Sequence, residues 1–71
     1  MPAITSKKLL RFLQKKGFYI TRQSGSHMIL HHANDGTKRV TLPLHNKDIR
    51  AGTLSSILKQ AGIERSELFT N

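Results

Sequence analysis

The side chains in this sequence able to move a proton near neutral pH are four histidines, His27, His31, His32 and His45. They stand beside only four carboxylates, Asp35, Asp48, Glu64 and Glu67. Asp35 falls in an Asn-Asp-Gly turn signal, Asp48 in a connection, and the two glutamates near the C-terminus. Nothing in that spacing brings two carboxylates together, as acid–base chemistry on a glycosidic bond requires. There is no cysteine, hence no thiolate nucleophile, thiolate metal site or disulfide. No glycine cluster opens a helix after a strand, so a phosphate-binding loop of the nucleotide-hydrolase kind is absent. His27 and His31 have the i, i+4 spacing of a zinc pair on a helix, but on a strand that spacing separates them by about 13 Å. Neither metal nor cofactor is therefore expected.

What remains is a histidine acting on a polyanion. Neutral imidazole can take a proton from a ribose 2′-hydroxyl, and imidazolium can give one to a leaving oxygen. His27 is the best placed of the four. It follows Ser24-Gly25-Ser26, where the missing Cβ of Gly25 lets a phosphate approach the backbone and Ser26 adds a hydroxyl. Arg22 and Arg39, on the flanking strands, can hold phosphate. Lys7, Lys8, Arg11 and Lys15 supply a general field or a solvated face. His31 and His32 read as solvated strand ends, and His45 as a residue able to line the surface of His27. The residues alone leave a second reading of His27 open, as a side chain that begins a strand and does no chemistry.

The charge balance favours a polyanionic partner. Lys plus Arg number 12 and Asp plus Glu 4, a net +8. Residues 1–34 carry Lys7, Lys8, Arg11, Lys15, Lys16 and Arg22 and no acid. Such a field attracts nucleic acid or an acidic protein and speeds their association. "MPAITSKK" has no apolar run fit for a signal peptide, and no stretch approaches the ~20 apolar residues of a membrane span. The expectation is one domain over 1–71, in the cytoplasm and away from membranes.

The elements that must position these groups follow from periodicity. Residues 6–16 predict a helix with Leu9, Leu10, Phe12 and Leu13 on one side and Lys7, Lys8, Arg11, Gln14 and Lys15 opposite. Thr5 or Ser6 can cap it, and Gly17 suits its exit. Strands are expected at 18–23, 27–32 and 38–43, joined by turns at Ser24-Gly25 and Asn34-Asp35-Gly36 as an antiparallel meander. Val40 and Leu42 share a face of the third strand. Period alone does not say which face of the second is inward, since Met28 and Leu30 alternate with His27, Ile29 and His31. After an irregular 44–52, residues 53–62 form a helix with Leu54, Ile57, Leu58 and Ala61 as its stripe, Thr53 as cap and Gly62 as stop. "ERSELF" adds one turn, with Leu68 and Phe69 folding back. The result is an α+β fold, α-β-β-β-α, with a three-stranded antiparallel sheet and both helices on one face. This is the layout of a double-stranded-RNA-binding domain.

With these residues in place, "SGSHMIL", "RVTLPLH" and "AGTLSSILKQAGI", in that order over about residues 5–69, resemble the HicA toxins of bacterial HicA–HicB toxin–antitoxin pairs. The resemblance implies a small mRNA interferase that cleaves RNA without the ribosome. It also implies neutralisation by a HicB-type antitoxin. The family's catalytic histidine, in a Gly-Ser/Thr-His motif, maps onto His27; the other histidines inherit no role. The free chain is expected to be a monomer. Two other classes stay in view: a non-catalytic RNA-binding module of the same fold, and a protein that only holds an acidic partner. Against the module, the last helix opens "AGTLSS", without the lysines such modules place there.

Overall fold

A computed structural model describes residues 4–44 and 48–68. Its elements are α1 (Ser6–Lys15), β1 (Phe18–Ser24), β2 (His27–His32), β3 (Arg39–Pro43), α2 (Ala51–Ala61) and α3 (Arg65–Leu68). The expected positions of His45 and Phe69 lie outside the described residues.

Helix α1 begins as its sequence predicts. The Thr5 hydroxyl accepts from Lys8 N–H at 3.2 Å and satisfies one of the helix's open donors. Ser6, the other candidate cap, has a different task. It is buried, and its hydroxyl donates to the Pro43 carbonyl at 2.6 Å, tying the start of α1 to the end of β3. Leu9 and Leu13 are fully buried, Leu10 and Phe12 partly so, and the basic side chains face out.

The three strands pair antiparallel in the order β1-β2-β3. Their register resolves the ambiguity in β2. Leu30 opposes Val40 and Met28 opposes Leu42, and all four are buried. Directly opposed residues share a face, so His27, Ile29 and His31 turn to the other one. Strand β1 carries a bulge between Ile20 and Arg22: Ile20 opposes Leu30 and Arg22 opposes Ile29, leaving Thr21 as the extra residue. The Thr21 hydroxyl sits 2.8 Å from His31 Nδ1 and donates to the Ile29 carbonyl at 3.3 Å.

Helix α2 starts earlier than predicted. Its N-cap is Arg50, and Thr53 lies within the first turn rather than capping it. The reason is the approach. Ile49 is buried, its N–H donates to the Ile4 carbonyl at 2.8 Å, and Thr5 bridges Asp48, so the chain reaches the helix already anchored. Leu54 N–H then bonds the Arg50 carbonyl at 2.8 Å. The far end is as expected. Gly62 takes φ +69°, Ile63 N–H reaches back to the Leu58 carbonyl at 3.0 Å, and Ile63 packs against the core. Leu54, Ile57, Leu58 and Ala61 join Leu9, Leu13, Met28, Leu30, Val40 and Leu42 in one core. Both long helices thus cover the same sheet face. Helix α2 also guards the β3 edge, where the Gln60 side-chain oxygen accepts from Thr41 N–H at 3.1 Å.

His32 is the clearest departure from expectation. Read from sequence as a solvated strand end, it is half-buried and fastens three segments together. Asn34 N–H donates to its Nδ1 at 3.1 Å, so the proton sits on Nε2, which donates to the Lys16 carbonyl at 2.9 Å. Its ring meets Phe18 edge-on, centroids 5.0 Å apart. Gly17, at φ +96°, lies directly beneath, and a Cβ there would stand 2.9 Å from His32 Nε2. At the next turn Asp35 accepts from the Thr37 hydroxyl and N–H, which hold its carboxyl below the usual range.

Gly17→Ala is expected to destabilise the protein by about 1–3 kcal/mol in urea unfolding, from the positive φ and the collision with His32 together. In a His32→Ala background the collision disappears, so the same substitution should cost clearly less. Equal costs in both backgrounds would show that the imidazole is not what confines Gly17.

Candidate functional site

The face of the sheet without helices is laid out by the strand register as three cross-strand rows. Tyr19, His31 and Arg39 form the first, Arg22, Ile29 and Thr41 the second, and Ser24, His27 and Pro43 the third. Of the residues singled out from sequence, Arg22, His27 and Arg39 therefore share this face. Gly25 and Ser26 form the turn at the end of the third row. Gly25 has φ +56°, and the space a Cβ would fill is open, so backbone conformation rather than crowding calls for glycine there. The turn is fixed from behind, where Leu44 N–H donates to the Ser26 carbonyl at 2.6 Å.

His27 is exposed, and its ring has no hydrogen-bond partner among the described residues. In this it differs from His31, held by Thr21, and His32, held on both nitrogens. It stands at a groove of about 910 Å³ between the sheet and α2, lined also by Thr41, Pro43, Asp48, Arg50, Thr53, Ser56 and Gln60. That volume lies toward the upper end of the 300–1,000 Å³ typical of ligand clefts. A free imidazole, a guanidinium and several hydroxyl and amide groups thus converge on one concave surface. Arg50, Thr53, Ser56 and Gln60 were not singled out from sequence as site residues. Arg50 sits in a connection that reads as irregular, and only the packing of α2 beside β3 turns it toward His27's groove. The suggestion that His45 lines the same surface falls outside the described residues.

Lys7, Lys8 and Arg11 are not brought to this site. They project from α1, which packs on the opposite face of the sheet. Lys8 and Arg11 line a second, smaller groove with Phe12, Lys15, Lys16 and Leu68. Its far wall is α3, pinned by Lys16 Nζ to Glu67 Oε1 at 2.9 Å, with the same ammonium 5.6 Å from the Phe12 ring centre. The hydrogen bond from Lys16, then that from Glu64 N–H, hold the Glu67 carboxyl below its usual range. Among the described residues no three of the His, Cys, Asp and Glu side chains gather where a metal ion could be held. No helix among them is long and apolar enough to cross a membrane.

A family model described as the HicA toxin of bacterial toxin–antitoxin systems matches residues 6–63, from the start of α1 through the residue that closes α2. No curated protein matches the chain.

The lowered Glu67 carboxyl predicts how α3 responds to acid. A depressed folded value stabilises above the ordinary carboxylate range, and that contribution is lost as pH falls through the range to the depressed value. Amide resonances of residues 64–68 should accordingly shift toward unstructured positions on acidification, before the sheet amides move. Glu67→Gln should abolish that early phase; its persistence would place the acid sensitivity elsewhere.

Proposed function

The chain belongs to the HicA toxin family of bacterial toxin–antitoxin systems, and on that footing we propose that it is an endoribonuclease that cleaves mRNA with His27. The observation that carries this reading is the setting of His27. It is exposed and unengaged at a groove whose lining mixes apolar side chains with Arg50, Asp48 and several hydroxyls, and Arg22 and Arg39 lie on the adjoining sheet face. RNA supplies its own nucleophile, so such a site needs little more than a base and cations. His27 takes the proton of a ribose 2′-hydroxyl. The 2′-oxygen bonds to phosphorus, the P–O5′ bond breaks, and the departing oxygen is protonated by water. The products are a 2′,3′-cyclic phosphate and a 5′-hydroxyl end. Arg50 and the Gly25-Ser26 turn neutralise and orient the phosphate while charge builds on its oxygens. The step draws on no metal or cofactor.

His27→Ala should lower the cleavage rate by at least about 10²-fold, the ordinary worth of a positioned base, at unchanged circular dichroism. Arg50→Ala should weaken RNA binding by roughly tenfold and leave some turnover, as loss of one charge-assisted phosphate contact does. Chelator should not inhibit either protein further. Wild-type cleavage by His27→Ala would move the chemistry to another group, and binding without cleavage by the wild type would favour a non-catalytic RNA-binding module.

A toxin of this family has a cognate antitoxin. We propose a HicB-type protein that lays carboxylates on Arg22 and Arg39 and buries His27, inhibiting by occlusion. Hydrogen–deuterium exchange should then show new protection across residues 22–31 in the complex. Protection restricted to residues 53–68 would point to inhibition from a distance.

A further inference from the structure

We propose that the open sheet face is a track for single-stranded RNA, with Tyr19, His31 and Arg39 forming a base-stacking and phosphate subsite at the end remote from His27. The proposal rests on the reading of His27 as the cleavage site and adds where the rest of the substrate lies.

Three observations lead to it. First, Tyr19 is 51 % exposed, the most open of the large apolar side chains among the described residues, and no described helix covers its face. A solvated aromatic ring on a sheet is a stacking platform open to any base. Second, the register sets His31 beside Tyr19 and Arg39 beside His31, an aromatic ring, an imidazole and a guanidinium in one cross-strand row. The bulge residue Thr21, its hydroxyl 2.8 Å from Nδ1, steadies the His31 ring from the strand edge. Third, the face carries Arg22 and Arg39 and, in its nine register positions, no carboxylate. The basic groups thus continue along the sheet from the His27 groove instead of stopping at it.

The dimensions favour one strand. Three β-strands at about 4.8 Å spacing make a face roughly 10 Å across, and His27 and His31 lie about 13 Å apart along β2. That span takes at most about four nucleotides at the 3.4 Å rise of a stacked strand. Stacking on Tyr19 also needs a base whose face is free, which a duplex does not offer. The track therefore selects unpaired RNA, although the fold's layout is shared with readers of double-stranded RNA.

The test uses the full chain. In a His27→Ala background, binding of a labelled single-stranded oligoribonucleotide and of the same sequence as a duplex is compared for Tyr19→Ala, Tyr19→Phe and Arg39→Ala. Tyr19→Ala should lose about tenfold in affinity for the single strand, Tyr19→Phe should keep it, and the duplex should be indifferent to both. Arg39→Ala should weaken single-strand binding and flatten its salt dependence. With His27 restored, Tyr19→Ala should raise KM on the oligonucleotide and leave cleavage of a dinucleotide, too short to reach Tyr19, unchanged. Single-strand affinity within twofold of the parent for Tyr19→Ala, or equal losses on single strand and duplex, would overturn the track. So would a Tyr19→Ala defect confined to binding of the antitoxin. Cleavage that survives His27→Ala would instead overturn the role of His27 while leaving the binding arm standing, so the two failures are distinguishable.

Discussion

Burial of Met28 and Leu30 on one face of β2 is the constraint on which the rest depends. In a strand, alternate side chains point to opposite faces, so committing two of them to the core commits their neighbours to solvent. His27, Ile29 and His31 are outward because Met28 and Leu30 are inward, and a slip of one residue would exchange the two sets. The helices enforce the choice. Leu9 and Leu13 from α1 and Leu54, Ile57 and Leu58 from α2 all arrive at the same face, leaving the other uncovered. The catalytic candidate is thus exposed by the packing of its neighbours, and no contact to His27 itself is needed to hold it there.

On this central strand the three described histidines divide their labour by what their ring nitrogens meet. His32 spends both on backbone groups and serves the fold. His31 has one nitrogen beside a hydroxyl. His27 spends neither within the described residues. A ring with both nitrogens engaged by backbone groups has neither free to exchange a proton with a bound molecule, whereas a ring with neither engaged has both. The division also separates two cationic regions. The arginines of the sheet face and groove lie with His27, whereas the α1 lysines lie behind the sheet, where they bear on long-range attraction more than on contact at the site.

Much of this was legible in the sequence. The helical stripes, the turn glycines and the meander follow from period and turn chemistry, and the α-β-β-β-α order with them. The Gly-Ser-His turn could be singled out because it joins a flexible backbone to a titratable group. What was not legible depends on tertiary placement. The inward face of β2 was ambiguous because Ile29 lies between its histidines and both sets hold apolar residues. Thr53 looked like a cap, but the anchoring of Ile49 and Asp48 to residues 4 and 5 starts α2 sooner. Arg50 and Gln60 carry no motif, and only the docking of α2 along β3 brings them near His27. The tie between Gly17 and His32 spans a strand and a turn that no local pattern connects.

The bulge at Thr21 bears on how this molecule behaves in company. Gln60 meets the rim of β3, whereas the outer rim of β1 is bare among the described residues, where β1 pairs only with β2. A bare rim is where another extended chain would zip on, by domain swapping or as the seed of a fibril. An incoming strand in step with residues 18–20 would fall out of step beyond Thr21, and Arg22 would meet it with a charge. The one extra residue that steadies a histidine on the open face therefore also spoils the template along the β1 border.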